Sequence, residues 1–508
     1  MNFLFTNEKN ACNWTVRNPV NSFKKFPDCA RTETLSGKSS SLQSIYAVIF
    51  SFISCEPMVS ESVQYIIHKN FEMKKMNRTL IAIFLLISFG KTSFAQMDNL
   101  ANMSAEWIRT GARNAATDAA DIVVYNPAGL TQMPEGLHVN FSNQSLFRHP
   151  SHSYDLGMGQ GTRTWTQVGS DPLLPNLYAA YRKNNWAFFT GAFITGGGAT
   201  MNYPTGSITT DLIGLQALAG AGGAYTEVKD QNLKASSMYM TMTLGATRAI
   251  NNMCSFSVAF RNLNAKNTTK AGMTLTSSPV DLPDQPMNLN SEETASGIGA
   301  VISMDVKPSD KLNMSVRYES QVKLDFQTKT ITDDFGATVD GQKNRRDLPA
   351  VLALGASYKM CNSFTAYVDF MYYFQKNANW GNSTTATNQI PWSQMAGNAS
   401  TTAVGFQYVI CPQFTASLGG GYTHYGYADK TGYYSKMGTY EVMQDNNSNI
   451  NTGLAWKAAK IITVNAGFMH TFWTKDQNIK ALMAQPMDVN VKVNNSMNVL
   501  ALGVDLSF

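Results

Sequence analysis

From residue 137 to its last residue, the chain is punctuated by turns that alternate between very short and very long. Between them, apolar and polar side chains alternate with a period of two, the signature of strands with two different faces. The spacing predicts fourteen strands, at 137–148, 176–183, 186–196, 237–250, 253–263, 294–307, 311–328, 349–359, 363–376, 399–410, 413–427, 448–457, 460–474 and 495–508. Asn184-Asn185, Asn251-Asn252, Pro308-Ser309-Asp310, Cys361-Asn362, Cys411-Pro412 and Ala458-Ala459 make tight turns. The other connections run to roughly 20–40 residues, a length that counts against a compact soluble domain but suits the outward loops of a membrane barrel. The expected fold class is therefore all-β: a 14-stranded antiparallel transmembrane β-barrel.

Composition agrees. Only 15% of residues are charged, against about 25% in soluble domains. No stretch of the mature chain approaches the roughly 18 apolar residues of a spanning helix. A net charge of +5 is small for 508 residues, and no basic run interleaves with aromatics, so nucleic acid is not an expected partner.

The final strand fits the same scheme. In "NVLALGVDLSF", Leu500, Leu502, Val504, Leu506 and Phe508 share one face, and Ala501, Gly503, Asp505 and Ser507 the other. Large apolar groups outward and small or polar groups inward are what a lipid-facing wall needs. A strand ending the chain in Phe508 resembles the C-terminal assembly signal of bacterial outer-membrane barrels, which makes the barrel assembly machinery an expected partner. In 363–376, Phe364, Ala366, Val368, Phe370, Tyr372 and Phe374 are expected to face lipid. In 311–328, Leu312, Met314, Val316, Tyr318, Val322, Leu324 and Phe326 are expected outside, and Asn313, Arg317, Glu319, Gln321, Lys323 and Asp325 inside. Arg317, Glu319, Lys323 and Asp325 then form either a salt-bridge ladder that braces the wall, the favoured reading, or a contact line for a polar headgroup. Tyr422, Tyr425, Tyr427, Phe472 and Trp473, with His424 and His470, gather at loop-side strand ends as an interfacial girdle.

Targeting residues precede the barrel. Met73 to Gln96 reads as a secretory signal: Lys74, Lys75 and Arg78, an apolar run from Leu80 to Phe89, and Ser93-Phe94-Ala95 before the cleavage point. Residues 1–72 are expected to be an overextended start or a disordered extension, with Met73 or Met76 the true start; 73–95 is the signal peptide. Of the six cysteines, Cys254, Cys361 and Cys411 lie at or beside short turns, and spacing leaves open whether any of them pair.

Residues 96–136, rich in Ala, Asn, Asp and Gly, show no strand period and lie between the signal and the wall. A fourteen-stranded barrel is wider than its own side chains can fill, so an internal plug is the natural use of such a segment. Within it, "TGARNAATDAADIVVYNPAGLTQM" (Thr110 to Met133) resembles the N-terminal hatch of the FadL-type outer-membrane transporters of long-chain fatty acids and hydrocarbons. Asn126, Pro127 and Ala128, followed by Gly129 and Leu130, match that family's motif. The resemblance implies a hatch at 96–136 and a barrel at 137–508. It also implies passive uptake of a hydrophobic small molecule through an apolar lumen pocket, a hatch movement, and a third-strand kink that releases the ligand sideways.

Two local features bear on that expectation. Gly196-Gly197-Gly198 closes the predicted third strand and permits a bend there, or simply starts a loop. "DLIGLQALAGAGGAY", Asp211 to Tyr225, is an apolar stretch in a loop predicted to face water. Its Leu212, Ile213, Leu215 and Leu218 are candidates for a single helical face making the first ligand contact, or for a lid folded into the mouth. A structural or interaction barrel that docks a protein partner through its long loops is the alternative. His149 and His152 beside Ser151 and Asp155 make a hydrolase compositionally possible but are not expected to act as one. No catalytic residue, metal site or cofactor is expected, and the barrel, embedded in outer-membrane lipid, is expected to be a monomer.

Overall fold

The structure, a computed structural model, describes residues 99–508 apart from 156–160, 279–281, 382–389, 438–439, 443, 475–476 and 483–487. The expected signal peptide and the residues before it lie outside the described residues.

Fourteen antiparallel strands close into a barrel. They are β1 (Gly136–Arg148), β2 (Ser170–Lys183), β3 (Trp186–Tyr203), β4 (Glu227–Ala249), β5 (Cys254–Thr276), β6 (Gln285–Val306), β7 (Leu312–Glu319), β8 (Val351–Cys361), β9 (Phe364–Tyr373), β10 (Ala399–Cys411), β11 (Phe414–Tyr425), β12 (Asn447–Ala459), β13 (Ile462–Trp473) and β14 (Ser496–Ser507). Each pairs with the next, and β14 returns to β1, with Val139 opposite Leu506 and Phe141 opposite Val504. Phe508 N–H donates to the Leu137 carbonyl at 2.9 Å, so the barrel's two chain ends meet at the rim that carries the tight turns. No edge strand is left unpaired around the ring, which is what lets a sheet sit in lipid.

The exterior carries the apolar belt that such a barrel requires. Leu137, Phe141, Leu177, Phe188, Leu244, Phe260, Ile298, Val368, Leu418, Leu500 and Leu502 are all exposed, while their neighbours along each strand point inward and are buried. An exposed apolar belt around a closed barrel is the outer-membrane type of wall. Among the described residues, no helix is long and apolar enough to cross a membrane.

The strands on one side are much longer than a crossing needs. β4, β5 and β6 have 23, 23 and 22 residues, against roughly 9–11 for a tilted spanning strand. Their upper halves stand clear of the belt and carry the sheet onward to Asp325–Asp333 and Lys343–Arg345. The expected strands 237–250, 253–263 and 294–307 cover only the belt part, where the alternation is apolar enough to be seen.

The face assignment of 311–328 is correct only in its first half. Met314, Val316 and Tyr318 are exposed and Arg317 and Glu319 buried, as expected. Beyond them, Val322, Leu324 and Phe326 are buried inside, while Lys323 and Asp325 are on the outer surface, 65% and 51% exposed in their side chains. The cause is a break. The strand stops at Glu319, Ser320–Leu324 leaves the ladder, and pairing with β6 resumes at Asp325–Asp333 with the parity inverted. Lys323 and Asp325 are therefore not lumen residues.

The long loops fold together over the mouth. Ser151–Asp155 and Thr162–Thr166 from the first loop pair with Asp488–Asn494 and Gln477–Leu482 from the last into a four-stranded sheet. Tyr154, Trp380, Trp392, Tyr433, Tyr434 and Val491 form its buried aromatic core.

Candidate functional site

The N-terminal segment enters the lumen, and its small residues explain how closely it packs. Helix α1 (Ala105–Thr110) starts at Ser104, whose hydroxyl accepts the Trp107 N–H at 3.0 Å, and ends at Gly111 in the left-handed region. It lies against β11–β14. The wall there is lined with glycine because backbone meets backbone. A Cβ on Gly419 would sit 1.9 Å from the Thr110 carbonyl oxygen, and one on Gly467 would sit 2.9 Å from the Arg109 nitrogen. The chain then crosses to the far side of the ring, through α2 (Ile122–Tyr125), to a 3₁₀ turn over Pro127–Gln132 that packs on β4–β6.

Asn126, Pro127 and Ala128 are pinned one by one to that far wall. Asn126 Nδ2 donates to Asp305 Oδ2 at 2.6 Å. The Pro127 carbonyl accepts from Thr247 Oγ1 at 2.7 Å. Ala128 N–H donates to Ser303 Oγ at 3.0 Å, and its carbonyl accepts from Ser255 Oγ at 2.7 Å. Asn126 Oδ1 also accepts the Gly129 N–H at 3.3 Å, and Leu130 is buried. Pro127 occupies the first position of the 3₁₀ turn, where its missing N–H costs nothing.

Glu106, Arg109, Arg113 and Asp121 of the segment are buried, Asp118 is exposed, and the buried charges are met within the segment or by the wall. Arg113 Nη2 donates to Asp121 Oδ1 at 2.5 Å and its Nε to Oδ2 at 3.1 Å. Asp369 of β9 accepts the N–H groups of Arg113 and Asn114 at 2.7 and 2.9 Å. Glu106 and Asp505 of β14 share a frame of two amides: Asn140 and Asn465 each donate to both carboxyls, at 2.7–2.9 Å. Burial and the Asp505 charge push the Glu106 carboxyl up to about 8. On the β5–β7 wall Glu319 bonds Arg261 and, at 3.0 Å, Arg317, whose guanidinium also donates to the carbonyls of Val124 and Tyr125. Of the four residues expected as one polar ladder in the lumen, Arg317 and Glu319 meet there, and they brace the segment as well as the wall. Lys323 and Asp325 pair with each other on the outer surface, 3.6 Å apart.

The glycine run lies inside β3, not at its end. The strand continues to Tyr203, with register shifts at Ile194/Gly196 and Gly197/Ala199, and Gly197 and Gly198 at φ +66° and +71°. Beside the bulge, β2 leaves β3: their ladder ends at Leu177 opposite Ala192, and the upper part of β2 pairs with β1 alone. Side chains lace the split instead. Asn176 Oδ1 accepts the Ile194 N–H at 3.3 Å, and Asp171 Oδ1 the Thr200 N–H at 2.7 Å. The start of the internal segment fills the place β2 vacates: Leu100 N–H donates to the Thr195 carbonyl at 2.9 Å, and Asn99 bridges Gly196.

Segment and wall pack closely where they meet. The void between segment and wall, lined by Met103, Val123, Val124, Phe193, Ala259, Val301, Arg261 and Glu319, measures about 20 Å³, room for a water but not for a drug-sized ligand. A much larger space, about 650 Å³, opens at the loop side between Trp165, Leu215, Leu218 and Val228, with Arg163, Asp211 and Gln231 on its polar wall. Arg163 and Asp211 pair at 2.5 Å across it. Leu215 and Leu218 belong to α3 (Ile208–Gly220), which starts with a capping box between Ser207 and Thr210. Leu212, Ile213, Leu215 and Leu218 do not share one face: Leu212 and Leu215 pack towards the aromatic loop core, Ile213 and Leu218 towards Met273, Leu275 and Phe335. This packing is that of a helix wedged between two cores.

Cys254, Cys361 and Cys411 are all unpaired. His152 is buried, and its Nε2 accepts the Ile208 N–H at 2.9 Å. His470 bonds Asn498 at 2.7 Å and stacks edge-on with Phe472 in the expected girdle. Sequence reasoning missed Thr247, Ser255, Ser303 and Asp305, the wall partners of Asn126–Ala128. Each is one small polar residue in an ordinary inward position, and only the closed ring brings them together.

No family model matches the chain, and no curated protein matches it in sequence. Solved structures do match its fold. A Pseudomonas aeruginosa FadL homologue aligns over 81% of this chain and 100% of its own, at a TM-score of 0.58 and 12% identity. The Pseudomonas putida toluene transporter TodX aligns over 81% and 99%, at 0.55 and 11%. A second TodX structure gives 82% and 100%, at 0.54 and 12%. At such identity the likeness establishes a shared fold.

Proposed function

We propose that this chain is a FadL-type transporter that lets hydrophobic small molecules cross the outer membrane passively, with residues 96–136 as its hatch. The observation that carries the reading is the join between segment and wall: Leu100 and Asn99 occupy the backbone of β3 where β2 departs. A shift of the segment away from β3 also uncovers the split between β2 and β3, so a ligand let past the hatch meets a lateral exit towards lipid. The shared fold with a toluene transporter supports the same reading.

On this proposal the cleft at Trp165, Leu215, Leu218 and Val228 takes the ligand first. Its lining is mixed, with Trp165, Leu215, Leu218 and Val228 offering apolar contact and Arg163, Asp211, Glu227 and Gln231 a polar wall. That suits a hydrophobic molecule with a polar end. The hatch then yields, since the void of about 20 Å³ beside it holds no ligand as it stands. No step makes or breaks a covalent bond.

The test is uptake of radiolabelled toluene and oleate by cells that have this chain as their only such transporter. Replacing Asn126–Ala128 by three glycines, with heat-modifiable migration confirming an assembled barrel, should abolish uptake of at least one of the two. Uptake of both at the unaltered rate in that variant would refute the proposal and favour a barrel that docks a partner through its loops.

A further inference from the structure

The upper halves of β4, β5 and β6 have an outer face that the transport reading does not use. Its rows can be followed across the register. The last fully apolar row joins Leu244, Phe260 and Ala300, and the next sets Met242 and Ile298 on either side of Asn262. Above them β5 and β6 turn polar at once, while β4 still carries Met240 and the exposed Met238 in the next two rows. Asn264 and Ser296 come first, then Lys266 and Thr294 with Gln327 and Lys343, then Thr268 and Glu292 with Lys329, then Lys234 beside Lys270.

Five lysines thus stand on one outward surface directly above the belt, all exposed, with Glu292 and Asp325 as the carboxylates beside them. Glu292 is taken by Lys266 at 3.2 Å. Among the described residues, no carboxylate lies within ion-pair distance of Lys234, Lys270, Lys329 or Lys343. Lys234 and Lys270 are direct cross-strand partners, and like charges so placed repel. A sheet gains nothing from that arrangement in isolation; an anion between them reverses its sign. Below them runs a groove of about 650 Å³ lined by Asn264, Thr294, Ser296, Gln327, Lys266 and Lys343, amide, hydroxyl and ammonium groups suited to sugar hydroxyls. Asp325 lines it too, its carboxylate taken by Lys323 at 3.6 Å and Arg345 at 3.7 Å.

We infer that this face binds the phosphorylated sugar headgroup of a glycolipid in the outer leaflet, with its acyl chains on the apolar belt below. Three observations converge on that occupant. The patch is continuous with lipid-facing surface, so a ligand anchored in the membrane is presented to it at high local concentration. Its charge is complementary to phosphate, and basic residues near a membrane surface attract anionic headgroups. Its polar groove lies between the lysines and the belt, where the sugar of such a lipid sits between its phosphates and its chains.

Native mass spectrometry of the full-length mature barrel, released from nanodiscs containing bis-phosphorylated lipid A, tests the inference. The comparisons are dephosphorylated lipid A, phosphatidylglycerol and free inorganic phosphate. Lys234→Gln, Lys266→Gln and Lys270→Gln combined should weaken lipid A retention by at least about tenfold. Lys359→Gln with Lys457→Gln, at the opposite rim, should leave it unchanged. Equal retention of dephosphorylated lipid A or of phosphatidylglycerol would overturn the inference, as would undiminished binding by an assembled triple variant. Displacement of lipid A by millimolar inorganic phosphate would overturn it too, because a headgroup held by its sugar and chains is not released by a free anion.

Discussion

Two buried titratable side chains give the inside and the outside of this barrel opposite responses to pH. Glu106 is 1% exposed and its carboxyl is raised from 4.5 to about 8, chiefly by burial and then by Asp505. The folded state therefore holds this proton more tightly than the unfolded chain. Stability from it is full below pH 4.5, declines as pH rises towards 8, and is flat beyond. Thermal unfolding midpoints of the detergent-solubilised barrel should fall across that window, and Glu106→Gln should flatten the slope; an unchanged slope in the variant would assign it elsewhere. His152, in the loop sheet, is lowered from 6.5 to about 4 by burial. Its contribution is present above 6.5 and is lost as pH falls through 4. Limited proteolysis should thus cut the loops faster at pH 4 than at pH 7 while the wall stays intact, and equal rates would count against it.

At the scale of elements, the break between β7 and Asp325–Asp333 is held by one residue. Asp347, fully buried, accepts the Leu324 N–H at 3.0 Å, Gln321 Nε2 at 2.6 Å and Arg345 Nε at 2.5 Å. Its own carbonyl accepts Trp380 Nε1 at 2.6 Å. Asp347→Ala leaves the Leu324 N–H buried without a partner, and should cost about 2 kcal/mol of unfolding free energy. It should also speed amide exchange at 320–324 without changing β8 and β9, and exchange rates read by mass spectrometry decide this. The break also shows where sequence reading fails. Apolar residues keep to even positions from Leu312 to Phe326, so the pattern alone looks like one strand. Only the pairing of Ala300 with Ser320, and of Val322 with Leu348, inverts the faces between. Strand number was legible for the opposite reason: Asn, Pro and Asp at the tight turns state each end locally. The motif at Asn126–Ala128 was legible because a rigid Asn-Pro corner stands out within a small-residue segment. Its partners were not, nor was the glycine lining of β11–β14, since both are set by closure across hundreds of residues.

At the scale of the whole molecule, the wall and its contents are not independent. Around most of the ring, adjacent strands share a continuous ladder, and displacing the inner segment costs only segment–wall contacts. At β2 and β3 the ladder is missing, and three weaker things replace it: the Asn176 and Asp171 side chains and the Leu100 backbone. Asp171 can be removed without touching the segment. It joins Thr200 N–H to Arg148, which itself donates to the Thr200 carbonyl at 3.0 Å, and so ties β1, β2 and β3 above the bulge. If ligand leaves sideways through the split, Asp171→Ala should raise uptake by about tenfold, the effect of losing two hydrogen bonds of about 0.7 kcal/mol each from the closed state. If ligand instead runs straight down past the segment, the same variant should take up toluene at the original rate. Measured beside the triple-glycine replacement at Asn126–Ala128, the two rates separate a wall that opens from a hatch that merely moves aside.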